Sequence, residues 1–276
     1  MSGEPGTTGQ RRLPWNPRAL WGLIPFLLLL VVYFWASYLR HADNPQDKLL
    51  PEFVQMLEAM KDLAFVPDAR TGEYVLWIDT WNSLRRLALG VGFAALFGLL
   101  TGLNMGLNRR GRDLFGPFLT FMSLVPPLAL LPILFITLGV EELSKVALIF
   151  LGVYPVIARD LLLAAEQIPR ESIVKAITLG ATQFDIIYRI VMPQVMPRLI
   201  DAVRLALGGA WLFLIAAEAI ASTEGLGYRI FLVRRYMSME VILPYVAWIT
   251  LLGFLSDWVL RTLLAKRYAW YLANER

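Results

Sequence analysis

Hydrophobic and polar positions along this chain fall into blocks. Residues 19–39, 87–108 and 114–140 contain no Asp, Glu, Lys or Arg. An apolar run of about 20 residues is long enough to cross the hydrocarbon core of a bilayer as a helix. Two shorter blocks, 146–158 and 205–217, are bounded by charges, and a further block covers 241–256. The pattern predicts an all-α, multi-pass membrane protein with about six transmembrane helices, at 20–39, 86–107, 117–139, 143–163, 198–220 and 241–262. Residues 1–85 form an N-terminal tail, a first span and an outer amphipathic segment. Residues 86–265 form the membrane domain, with a long loop at 166–197, and 266–276 form a tail.

Within the second span, Gly90, Ala94, Gly98, Gly102 and Gly106 recur every four residues. They make a ridge of small side chains that lets another helix approach closely, and a partner within the same chain is expected. The third span carries Pro126, Pro127 and Pro132, which free carbonyls and bend a helix. Before the second span, Phe53, Val54, Leu57, Met60 and Leu63 follow helical spacing, and Thr71-Gly72-Glu73 marks a turn.

Composition agrees with the pattern: 57% of the 276 residues are hydrophobic and 17% charged, against about 25% charged in soluble domains. Arg11, Arg12 and Arg18, then Arg109, Arg110 and Arg112, then Arg170, Lys175 and Arg189, then Lys266 and Arg267 fall on one side if the spans alternate. The positive-inside rule puts that side, with both termini, in the cytoplasm, despite Arg229, Arg234 and Arg235 on the other. The net charge of +4 follows from this bias and implies no nucleic-acid partner. The first span is read as retained: it has no small-x-small cleavage site, and Arg11-Arg12 anchors it rather than forming a twin-arginine signal. The chain has no cysteine, one histidine (His41) and no GxxxxGK[ST]. Disulfides, thiolate metal sites and a phosphate-binding loop of its own are excluded, and no catalytic or metal-ligating set emerges.

The loop around KAITLGATQFDIIYRIVMPQVMP (175–197) is the strongest candidate for function. Pro169 suits the first turn of a helix, with Ile173, Ala176 and Ile177 along one side and Gly180 as a left-handed end. Thr182 and Asp185 have the spacing of a capping box. Phe184, Ile187, Tyr188 and Val191 fall at i, i+3, i+4 and i+7, the apolar face of a second short helix that Pro193 ends. A connecting loop is usually about 2–8 residues, so this one is built to touch something, or else its face packs on the spans.

The loop resembles the EAA loop of permease subunits in ATP-binding-cassette (ABC) importers: Ala176, Gly180, Ile190, Met192 and Pro193 match, while Lys175 replaces the Glu and Ile177 the second Ala. LALGGAWLFLIAAEAIASTEGLGYRIF (205–231) resembles the nitrate/sulfonate/taurine-type permeases. NPQDKLLP (44–51) and TGEYVLW (71–77) resemble a subgroup associated with urea carboxylase and guanidine uptake. The resemblance implies a type I importer permease in a bacterial cytoplasmic (inner) membrane, paired with a second copy of itself. It implies a cytoplasmic ATPase dimer that holds ATP and Mg, an extracytoplasmic substrate-binding protein, and no cofactor on this chain. Lys175, Ala176, Gly180, Ala181, Phe184, Tyr188 and Pro193 would form the ATPase-coupling loop. The solute would be guanidine, guanidinium or a urea-related compound, with sulfonate, taurine or nitrate as the alternative.

Glu218 is an acidic residue in an apolar run, seven residues from Trp211 and so on one helical face with it. Ring and carboxylate suit a planar cation on a substrate pathway. The competing reading makes Trp211 packing and pairs Glu218 with Arg229 or Arg234. Asp201–Arg204 and Asp257–Arg261 have the spacing of local helical pairs. A stand-alone channel or secondary carrier is the other functional class; the docking loop, and the lack of an inverted repeat, weigh against it.

Overall fold

Long apolar blocks punctuated by glycine and proline become helices joined by short turns. The computed structural model describes residues 17–44, 47–69 and 71–274. Arg11 and Arg12, and Pro45 and Gln46 of the 44–51 segment, lie outside the described residues. Helix α1 (Pro17–Asp43) is followed by α2 (Phe53–Phe65), α3 (Val75–Leu107) and α4 (Arg109–Leu124). A short 3-10 turn at Pro127–Leu130 leads to α5 (Leu131–Leu138), and then come α6 (Glu142–Glu166) and α7 (Arg170–Thr178). The turn α8 (Gln183–Asp185) runs through a π-helical stretch, Ile186–Val191, into α9 (Met192–Ile220). The chain closes with α10 (Leu226–Val233), α11 (Met239–Arg267) and α12 (Ala269–Asn274). Among the described residues five helices are long and apolar enough to span a membrane, and six if the bent pair around Pro126 counts as one span.

The small-residue ridge packs inside the chain. A methyl group built on Gly98 would sit 2.8 Å from Ile157 Cγ2, and one on Gly102 would sit 2.8 Å from Leu161 Cβ. Ala94 is fully buried, and Gly106 abuts Ala165. The ridge therefore runs along α6, whose Ile149, Ile157, Ala158 and Leu161 are fully buried. Half of the apolar window of α6 is buried, against 6% for α1, so α6 is the central post and α1 a peripheral one. Helix α1 is tied to the turn before α2 by Tyr33 Oη, which donates to the Pro51 carbonyl at 2.7 Å, and by Ser37 Oγ, which donates to Leu50 at 3.0 Å.

Several boundaries differ from the sequence pattern. The second span begins at Val75 rather than 86, because Asp79, Ser83 and Arg86 are buried in it as partnered groups. The third begins at Arg109 rather than 117 and is broken, not gently bent: its halves meet at 87°. Val125, before Pro126, is forced into extended backbone at φ −76°, ψ 120°. Pro193 does not end a helix. The preceding stretch widens to a π turn, with the Met192 N–H donating to Ile187, five residues back, and Pro193 falls in the first turn of α9 where its missing N–H is harmless. One continuous helical path thus runs from Gln183 to Ile220. Asp257 pairs with Arg204 at 2.9 Å, not with Arg261, and Asp201 shares that same arginine at 2.7 Å.

The ridge can be tested directly. Gly102→Val inserts atoms where Leu161 and the Ala158 carbonyl already sit, which should cost about 1–3 kcal/mol of overpacking and lower the thermal midpoint of the purified protein. Gly92→Ala faces open space and should hold or raise the midpoint, because Ala favours a helix over Gly by about 0.5–1 kcal/mol. Equal midpoints in both variants would mean that α3 does not pack on α6 through this ridge.

Candidate functional site

Two places concentrate chemistry, at opposite ends of α9. The first is the loop around Gly180. Helix α7 closes in a Schellman motif: the Gly180 N–H donates to Ile177 O at 2.9 Å and the Ala181 N–H to Ala176 O at 3.0 Å. This requires a left-handed residue, and Gly180 has φ +85°. Ala176 and Ala181, the pair such a motif brings together, pack partly buried against the core. Thr182 and Asp185 then form a reciprocal capping box, with Asp185 N–H to Thr182 Oγ1 at 3.2 Å and Thr182 N–H to Asp185 Oδ2 at 3.1 Å.

This geometry presents apolar side chains to the outside. Phe184 and Tyr188 stack at 4.6 Å between ring centroids and are 68% and 59% exposed. Leu179 and Ile177 are also exposed, so Ile177 does not join Ile173 and Ala176 on the buried side of α7. The π turn rotates Val191 into the core, fully buried, so it leaves the face that Phe184, Ile187 and Tyr188 share. Pro193 is exposed. Lys175 is exposed and makes no ion pair among the described residues. A set of exposed aromatic and aliphatic side chains on an otherwise polar loop is suited to docking.

The second place is a buried network that the sequence pattern did not reveal. Arg86, from α3, donates from Nη1 to Glu218 Oε1 at 2.7 Å and to the Glu224 carbonyl at 2.8 Å. Its Nε and Nη2 reach Glu142 at 2.8 and 2.6 Å, and Lys145 Nζ lies 3.5 Å from the same carboxylate. Glu218 is fully buried and also accepts from Ser83 Oγ at 2.8 Å and from the Gly227 N–H at 2.9 Å. One turn away on α3, Asp79 accepts from the Gly225 N–H at 2.8 Å, from Arg229 Nε at 2.8 Å and from the Tyr245 hydroxyl at 3.2 Å. Gly225 has φ +126°, and a β-carbon there would lie 2.6 Å from the Glu218 carboxyl carbon; at Gly227 it would lie 2.7 Å from the Ile215 carbonyl. The Gly-Leu-Gly series is thus a turn pressed directly onto the buried charges.

Glu218 is paired with Arg86, not with Arg229, which holds Asp79, nor with Arg234, which stacks over Phe231. Trp211 is 8% exposed, and its indole faces the α9–α11 contact beside Gly253. Trp211 and Glu218 share α9. The Glu218 oxygens, however, are already occupied by Arg86, Ser83 and Gly227. Asp79, Ser83 and Arg86 lie at i, i+4 and i+7, one polar face of a helix; that spacing was the available signal. No group of acidic residues or histidine among the described residues could hold a metal ion.

A family model described as "Binding-protein-dependent transport system inner membrane component" matches residues 94–268. The taurine transport system permease protein TauC of Escherichia coli is 30% identical over 264 residues, covering 95% of this chain and 94% of that protein. The nitrate import permease protein NrtB of a Synechocystis strain is 25% identical over 248 residues, covering 88% of this chain and 87% of that one. Among solved structures, an inward-facing MetNI methionine ABC transporter chain superposes with a TM-score of 0.55 at 22% identity, over 68% of this chain and 95% of that chain. It carries the same fold.

The network makes a sharp prediction. Arg86→Met leaves Glu218 buried without its cation, which should cost about 3–5 kcal/mol and sharply reduce the yield of folded protein. Arg86→Met combined with Glu218→Met removes both charges and should recover much of that loss. If the double variant is no better than the single one, the pair is not the link that matters at this end of α9.

Proposed function

We propose that this chain, which belongs to the family of binding-protein-dependent transport system inner membrane components, moves guanidine or a urea-related nitrogen compound into the cytoplasm. It acts as the permease subunit of an ABC importer, and ATP hydrolysis falls to a separate subunit. The observation that carries the coupling role is the exposed Phe184–Tyr188 stack behind the Gly180 turn. On this reading both termini and the loop face the cytoplasm, and two copies of the chain line the pore. The stack enters a groove on the ATPase, with Lys175, Ala176, Ala181 and Pro193 framing it. Closure of the ATPase dimer on ATP then moves the loop, and a rigid-body transition alternates access. The substrate-binding protein delivers solute at the Gly225 end. Glu218 acts through α3 and α10, keeping that end of the pathway in shape, and Trp211 acts through the α9–α11 contact.

The solute assignment is supported by the segments 44–51 and 71–77. A second reading, a small sulfonate- or nitrate-type anion as in the names of the relatives, is favoured by Arg159. That residue makes no ion pair among the described residues and lines a cavity of about 190 Å³ with Thr120 and Ser123.

Two measurements test these assignments. Tyr188→Asp, or Gly180→Pro at a residue whose φ of +85° proline cannot adopt, should leave the chain in the membrane while abolishing co-purification of the ATPase and transport. Normal co-purification with normal uptake would remove the docking role. With ATPase and binding protein present, proteoliposomes should accumulate radiolabelled guanidine and not taurine or nitrate. Uptake of taurine or nitrate without guanidine, reduced by Arg159→Gln, would establish the second reading instead.

A further inference from the structure

A cavity of about 930 Å³ opens where α3 ends, α4 begins, α6 ends and α7 starts. Three arginines line it, Arg109, Arg112 and Arg170, against two carboxylates, Asp113 and Glu166. Arg112 is bound to Glu166. Arg109, Arg170 and Asp113 make no ion pair among the described residues, so the lining keeps two uncommitted guanidinium groups against one uncommitted carboxylate. Leu107 and Val174, 38% and 57% exposed, give it an apolar lip.

Position and chemistry identify the ligand. Leu107 is the last residue of α3 and Glu166 the last of α6, so the cavity sits at the ends of two spans, on the side that the proposed orientation turns to the cytoplasm. Arginine donates in a planar fork that matches phosphate oxygens. Basic pockets between spans on the cytoplasmic side bind anionic lipid headgroups. Leu179, Phe184 and Tyr188, the side chains offered to an ATPase, do not line the cavity. We propose that this cavity binds the phosphate of an anionic phospholipid of the cytoplasmic leaflet, and that the lipid bridges Arg109 on α4 to Arg170 on α7. The bridge steadies the foot of the Gly180 loop, so the efficiency of coupling depends on the lipid. This rests on the orientation proposed above and not on the identity of the solute.

The test uses the complex purified with its ATPase, in nanodiscs of phosphatidylcholine with or without phosphatidylglycerol. Native mass spectrometry should find phosphatidylglycerol retained on the wild type, and ATP hydrolysis should be faster in the discs that contain it. Arg109→Gln and Arg170→Gln should each weaken retention about fivefold and flatten the lipid dependence, with the ATPase still bound. Equal retention by wild type and double variant overturns the site. Binding of inorganic phosphate to the lipid-free complex, without retention of phosphatidylglycerol, overturns the lipid as its source. Loss of the ATPase from the double variant makes the cavity a protein-docking groove and also overturns the proposal. Orientation is read separately: the chain has no cysteine, so Leu179→Cys in intact cells should resist an impermeant maleimide. Labelling there would refute the orientation, whatever the lipid result.

Discussion

Arg86 enters the bundle from α3 with its guanidinium almost wholly withdrawn from solvent, and its donors reach Glu218, Glu142 and a turn carbonyl at once. A lone arginine there would be intolerable, because a buried charge without a partner costs several kcal/mol. Its partners are supplied by separate elements: Glu218 from α9, Glu142 from α6 and Glu224 from the turn before α10. Asp79 repeats the device one layer along, drawing in Arg229 of α10 and Tyr245 of α11. The charges cancel, with Asp79, Glu142 and Glu218 set against Arg86, Lys145 and Arg229. The turn that leaves α9 also needs acceptors for its N–H groups, and Gly225, Leu226 and Gly227 find them in Asp79, Ser83 and Glu218. Five helices are therefore specified relative to one another by one set of mutually dependent hydrogen bonds.

The other end of α9 is built differently. Asp160–Arg198 and Arg204 with Asp201 and Asp257 tie neighbouring spans there, but all five side chains keep some solvent access. Beyond them the Gly180 loop holds its shape through local bonds and leaves its aromatic pair outside. The unbroken helical path from Gln183 to Ile220 joins these two regimes. At about 1.5 Å per residue, this path sets the Phe184–Tyr188 stack roughly 50 Å along the helix from Glu218. The π stretch matters for this reason. It lets the chain pass Pro193 without a break, so the loop is continuous with the span rather than hinged to it.

What could be read from the sequence follows a physical rule: features with local causes were legible. The ridge on α3, the left-handed turn at Gly180 and the Thr182–Asp185 box each depend on residues within a turn or two of one another, or on the spacing of a single helix. Features set by distant partners were not. A charge inside an apolar run looks like the end of a span, so Asp79 and Arg86 placed the start of α3 eleven residues too late. The partners that make those charges tolerable lie on α9, α6 and α10, and nothing local names them. For the same reason the sequence offers only Arg229 and Arg234 as partners for Glu218, while Arg86 on α3 lies 2.7 Å away. Three prolines mark a bend in the third span, but their spacing does not give the 87° at which its halves meet.

Neutrality of the network also bears on solute choice. Each buried charge of this network at the Gly225 end has an opposite partner, so the network as a whole carries no net charge. On the proposed function, selection by charge then falls to groups outside this network and to the binding protein. Arg159, which lines a cavity with Thr120 and Ser123 and makes no ion pair among the described residues, is such a group. Charge repulsion at one exposed arginine is weak at physiological salt, since the screening length is about 8 Å. The charge network and the proposed solute preference are thus separable: one fixes the packing at the Gly225 end, and the second reading of the solute rests on Arg159, an exposed residue outside that packing.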